Sequence, residues 1–166
     1  MDFNNNEEIK KSICKVIEGY SYTIHEYGDL TDGYSYLREN DMCITVKNES
    51  GKDAIYIDVA DELTLSFGAW HEHYNYSDED YSEMLELIKN YLEGKICTLE
   101  VYCYNAGELK WRGSSNLTAE ECNLTPADKL IEAFINKKEW PVSGKAIIRF
   151  FDENQTVTHE FALGNK

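Results

Sequence analysis

Leu63, Leu65 and Phe67 alternate with Thr64 and Ser66, the period-two pattern of a strand buried on one face. Beyond it the pattern forks at Gly68. An unbroken strand would carry Ala69, His71 and His73 along the same inward face. One extra residue at the glycine, as in a bulge, would turn Trp70 inward and both histidines outward. Ser77 then caps a helix whose first turn, Asp78, Glu79 and Asp80, sets three carboxylates against the positive end of the helix dipole. Tyr81, Met84, Leu85, Ile88, Tyr91 and Leu92 recur at three- and four-residue spacing and form its apolar stripe, with Leu85 and Ile88 expected in the core. Gly94 stops the helix in a left-handed cap.

The same two periods organise the rest of the chain. Ile9, Ile13, Val16 and Ile17 line one side of a first helix over residues 6–18, with Gly19 as its stop. Residues 20–41 read as a loop. Met42 to Lys47, Ala54 to Val59 and Glu62 to Phe67 read as strands, the first two joined by a turn at NESGKD. Ile96 to Tyr104 is a strand with Cys97, Leu99, Val101 and Cys103 on one face, and the NAGE turn returns the chain through Leu109 to Gly113. SSNLTAEECN reads as a polar connection. Thr125 caps a third helix with Pro126 at its first position and a stripe of Leu130, Ile131, Phe134 and Ile135, ended by Trp140-Pro141. Lys145 to Phe151 and Thr156 to Leu163 form a last hairpin. Short links between successive strands predict a mostly antiparallel sheet of about six to seven strands with three helices. This is an α+β class in one domain spanning residues 1–166.

Charge adds a direction to this picture. Formal net charge is −15, which excludes nonspecific attraction to nucleic acid phosphate. Residues 1–100 carry 22 acids against 8 bases, and residues 101–166 carry 9 against 8. The first part of the chain therefore builds an acidic face, suited to a basic protein partner. No apolar run is long enough to span a bilayer, and MDFNNNEEIKK holds no hydrophobic signal-peptide core, so a cytoplasmic location is expected with no membrane partner. The five cysteines lack any C-x-x-C and fit reduced, mostly buried thiols.

Two groups of residues carry candidate chemistry. His71 and His73 alternate, so on a strand they point the same way and can share a metal ion, the basis for a small metal-dependent enzyme. A cysteine paired with His25, His71, His73 or His159 would give a nucleophile and base. No G-x-G-x-x-G, P-loop or G-x-S-x-G is present, so no cofactor is expected. The second group is Tyr20 to Asp41, where Tyr20, Tyr22, Tyr34 and Tyr36 alternate with acids. Tyrosine supplies large, stiff contact area with a polar tip, and with Asp78, Glu79 and Asp80 this stretch fits a surface that grips Arg and Lys.

The strand end FGAWHEHY, followed by an amphipathic helix and a strand hairpin over residues 60–104, resembles small acidic bacterial proteins of unassigned function. Some of those resemble the immunity proteins that accompany polymorphic toxins. The expected function is thus a non-catalytic acidic binding protein, such as an immunity protein that neutralises a cationic toxin. The alternatives are the metal-dependent enzyme and a housekeeping domain whose acidity serves solubility.

Overall fold

The computed structural model describes residues 3, 5–49, 53–136, 139 and 141–164. The turn expected across Asn48–Asp53 falls partly outside these residues, as does Trp140; the helix expected to be capped by Thr125 and stopped there instead starts after Pro126, with no side-chain cap, and ends at Phe134. The first half is a helix, α1 (Asn6–Val16), then five strands, β1 (Tyr22–Glu26), β2 (Met42–Val46), β3 (Ile55–Val59), β4 (Leu63–Phe67) and β5 (Trp70–Tyr74), then α2 (Asp78–Leu92). The strands form an antiparallel meander in chain order. The second half holds β6 (Ile96–Asn105), β7 (Glu108–Thr118), α3 (Ala119–Leu124), α4 (Ala127–Phe134), β8 (Val142–Arg149), a 3₁₀ turn at Glu153–Gln155 and β9 (Val157–Leu163). Its four strands make a second antiparallel sheet in the order β7-β6-β8-β9.

The α+β class holds, with every strand pair antiparallel. The described strands number nine, in two sheets, beside four α-helices. Three elements, β1, β5 and α3, were not visible in the pattern, nor was the second half of β7. The predicted loop at 20–41 contains β1, which holds only one aliphatic residue, Ile24. The predicted polar connection is the end of β7 followed by α3. The α3 helix has no buried residue, so no apolar stripe announces it. Its one local signal is a capping box, in which Thr118 and Glu121 bond each other's backbone N–H groups.

Each sheet has its own core. Ile44, Ile57, Leu65 and Phe67 of the five-stranded sheet meet Ile9 and Ile13 of α1 and Met84, Ile88 and Tyr91 of α2. Leu85 is only half-buried at the rim of this core, a correction to its expected place; Met84 takes the fully buried position. The α2 helix ends as expected: Gly94 has φ +68°, and the Lys95 and Gly94 N–H groups bond the carbonyls of Asn90 and Tyr91, closing a Schellman motif. The second core joins Cys97, Leu99 and Val101 to Ile131 and Ile135.

The fork at Gly68 is decided by a two-residue turn. Phe67 pairs with Trp70, and only the first turn residue has a positive φ, +61° at Gly68, as a type II′ hairpin requires. The chain reverses, Trp70 and Tyr74 go inward, and His71 and His73 come out on the opposite face. The tip of this hairpin also joins the two sheets. Glu100 of β6 is fully buried and accepts the Ala69 N–H (2.9 Å), the Tyr102 hydroxyl (3.1 Å) and two N–H groups of Arg149 (2.7 and 3.1 Å). Arg149 also pairs with Asp53, and Ser114 donates to the Ala69 carbonyl at 3.0 Å. A Cβ on Gly68 would stand 2.1 Å from Glu100 Oε1, so both the backbone conformation and the close approach exclude a side chain there.

Candidate functional site

Strand alternation gives the five-stranded sheet a core face and a polar outer face. Register sets two rows of residues across that outer face. One runs Thr23, Thr45, Tyr56, Ser66, His71, and the other His25, Cys43, Asp58, Thr64, His73. Three of the four histidines, Cys43, Tyr56 and Asp58 therefore lie on one surface, opposite α1 and α2.

Residues 27–41 fold back over the β1–β3 part of this face. Leu37 is buried, the Tyr34 hydroxyl bonds Thr45 Oγ1 (2.9 Å), and Tyr36 donates to Asp58 Oδ1 (2.5 Å). The Tyr34 ring stacks on His25 with centroids 3.5 Å apart and planes within 9°. This cover explains why all five residues of β2 are buried, on both faces. Between the segment and the sheet lies a pocket of about 340 Å³, lined by Asp32, Tyr34, Tyr36, Tyr56 and Asp58. At the end of the sheet a cleft of about 950 Å³ is lined by Glu7, Glu26, Asp41 and Asp61 with Tyr27 and Tyr76.

The predicted partner-binding residues divide between the two sides of the sheet. Tyr34 and Tyr36 stand together on the outer face. Tyr22 belongs to the opposite side of β1, which faces α1. Tyr20 ties the end of α2 to the second half of the chain: its hydroxyl bonds the Leu92 carbonyl (3.1 Å) and its ring meets Phe151 edge-on at 5.9 Å. Asp78, Glu79 and Asp80 begin α2 on the core side. Asp80 accepts the backbone N–H and side-chain amide of Asn75 (2.9 and 2.7 Å), bonds that hold its carboxyl below the usual range. Tyr56 and Asp58 join the site without having been singled out. Their signal was the alternation with Ile55, Ile57 and Val59, which marks them as outward-facing.

His71 and His73 are exposed on the same face, their rings 5.3 Å apart and edge-to-face. His73 Nδ1 lies 2.9 Å from Glu62 Oε1 and 3.1 Å from Thr64 Oγ1. Among the described residues no three His, Cys, Asp or Glu side chains come together as a metal-binding group.

A second arrangement touches catalysis. Cys43 sits opposite His25 in register, and His25 donates to Asp29 across 2.6 Å, the order of a nucleophile, a base and an orienting carboxylate. The environment of the thiol opposes that chemistry. Burial, reinforced by the Asp58 carboxylate, pushes Cys43 up to about 12, whereas a nucleophilic cysteine needs its thiolate favoured. Cys97 is likewise pushed up by burial and by Cys122, whose sulfur lies 3.0 Å away.

The His25–Asp29 pair has a measurable consequence. The bonds from Thr31, then His25, hold the Asp29 carboxyl down at about 2. For Glu100, burial pushes the carboxyl up, but Arg149, the Ala69 N–H and Tyr102 outweigh it and leave it below its ordinary value. A carboxyl lowered on folding stabilises the folded state above its unfolded pKa, and that contribution is lost as pH falls through the folded value. Urea midpoints should therefore fall as pH drops from about 4 towards 2, and Asp29→Asn should flatten this decline. An unchanged slope in the variant would show that Asp29 is solvated.

No described helix is long and apolar enough to cross a membrane. Comparison of the chain with protein families, with curated proteins and with solved structures finds no match.

Proposed function

We propose that this protein is a non-catalytic acidic binding protein whose partner is a cationic protein, and that it acts as immunity proteins do, by covering a basic toxin. One observation carries this reading: tyrosines and carboxylates are presented side by side on the outer face of the first sheet and at its end. Tyr27 and Tyr36 keep 66% and 53% of their surface exposed, and Leu30 keeps 97%. Large exposed apolar and aromatic groups set among acids are what an interface for a basic surface needs: charge steers the encounter and the rings hold it. The raised Cys43 thiol and the ordinary fold contacts of His73 give the enzyme alternative no comparable support.

Affinity capture from a lysate of the source cell at low salt, followed by mass spectrometry, identifies the partner. Its association should slow at least tenfold between about 50 and 500 mM salt, because the Debye length falls from above 10 Å to well below it. An acidic partner, or an association rate indifferent to salt, would overturn the proposal.

A further inference from the structure

The pocket under residues 32–36 combines features that point to one kind of occupant. Tyr56 and Asp58 are two apart on β3 and share its outer face, and Tyr34, Tyr36 and Asp32 come over them from the covering segment. The Tyr36 hydroxyl donates to Oδ1 of Asp58 and the Cys43 thiol lies beside the same carboxylate, whose lone pairs can still take a further donor. Among the described residues no lysine or arginine pairs with Asp32 or Asp58. Tyr34 is fixed by Thr45 and by its stack on His25, and Tyr36 by Asp58, so two of the three rings are held before anything binds. The acids of the larger end cleft differ in this respect. Glu7 and Glu26 already meet Lys10, and Asp61 meets Arg38.

We infer that this pocket is the anchoring subsite for a single arginine side chain of the partner. A volume of about 340 Å³ sits at the small end of the range for ligand pockets and suits one side chain. Aromatic faces attract a cation, and a flat guanidinium can stack on tyrosine while donating an N–H bond to a carboxylate oxygen. An ammonium is a more strongly hydrated point charge and matches the rings less well, so arginine is favoured over lysine. The charge complementarity is that of the whole protein, at −15. This inference rests on the partner being cationic, as proposed above, and adds where it is gripped and by which side chain.

The test uses three small probes: the acetylated amides of arginine, lysine and citrulline, the last having the shape of arginine without its charge. Each is titrated into the full chain with the tyrosine ring signals followed by NMR. Arginine amide should shift Tyr34, Tyr36 and Tyr56, with about fivefold tighter binding than lysine amide and no saturable shift from citrulline amide. Asp58→Asn, which keeps an acceptor for Tyr36, and Tyr56→Ser should each weaken arginine binding by about fivefold or more. A variant that fails to fold is recognised by loss of the remaining dispersed signals, and Asp32→Asn, on an exposed loop, then serves in its place. Ring signals unmoved by saturating arginine amide, or equal shifts from citrulline amide, would overturn the subsite. If the captured partner still associates in a salt-dependent way in that case, only the subsite falls; if arginine amide binds but no salt-dependent partner exists, only the wider function falls.

Discussion

Arg149→Met should lower stability by about 3–5 kcal/mol, the range for removing one partner of a buried ion pair. The side chain of Glu100 is 1% exposed and that of Arg149 16%, so water cannot replace the lost guanidinium. Two donors would remain, the Ala69 N–H and the Tyr102 hydroxyl, but no countercharge. The sign of the pH response separates this mechanism from a mere packing loss. In the wild type Glu100 sits below its ordinary value, so its contribution is present above the unfolded pKa and is lost as acid is added. Without Arg149 the burial effect wins and the carboxyl rises above its unfolded value. The variant should then regain part of its deficit as pH falls from 7 towards 5. Adding Glu100→Gln removes the stranded charge, so the double variant should be more stable than Arg149→Met alone. Urea unfolding of the three proteins at two pH values measures both effects. A single-variant loss under about 1 kcal/mol, in the range of an exposed ion pair, would mean that the junction between the sheets is open to water.

Phe67→Ala should be comparably severe, at about 3–5 kcal/mol. Phe67 is fully buried, its ring edge-on to Tyr91 at 5.1 Å and tilted against Phe151 at 6.2 Å. It connects β4, α2 and the segment after β8, and rings in this arrangement add about 0.5–1.5 kcal/mol each to the area they bury. The surrounding β-sheet backbone cannot collapse into the space, which keeps the cavity open. Leu85→Ala is the matched control. It removes a large aliphatic group from the same region, but from a half-buried site, and should stay below the usual range of about 2–5 kcal/mol for a buried leucine. If thermal or urea unfolding ranked Leu85 above Phe67, the assignment of the apolar face of α2 would be wrong.

Local pattern was enough to find α1, α2, the strands β2 to β4, the β6–β7 hairpin and the last hairpin, because in each the buried positions recur at 3.6 or 2 residues. It was enough, too, for the C-cap of α2, since a glycine in the left-handed region is a property of one residue and its neighbours. What it missed depends on partners far along the chain. Residues 22–26 become β1 by aligning with 42–46, and their own composition is too polar to say so. The α3 helix buries no side chain and rests on a cap at its start.

The site shows the same division. Alternation around Ile55, Ile57 and Val59 already placed Tyr56 and Asp58 outward, and tyrosine and acid enrichment already marked residues 20–41. Only the return of residues 27–41 across the sheet puts Tyr34 and Tyr36 beside Tyr56, while the pairing of β1 with β2 turns Tyr22 to the other face and Leu92 and Phe151 hold Tyr20. Periodicity fixes which face a residue takes within its own element. Which elements share that face is set by backbone pairing and packing between distant segments, and the tertiary structure alone decides it.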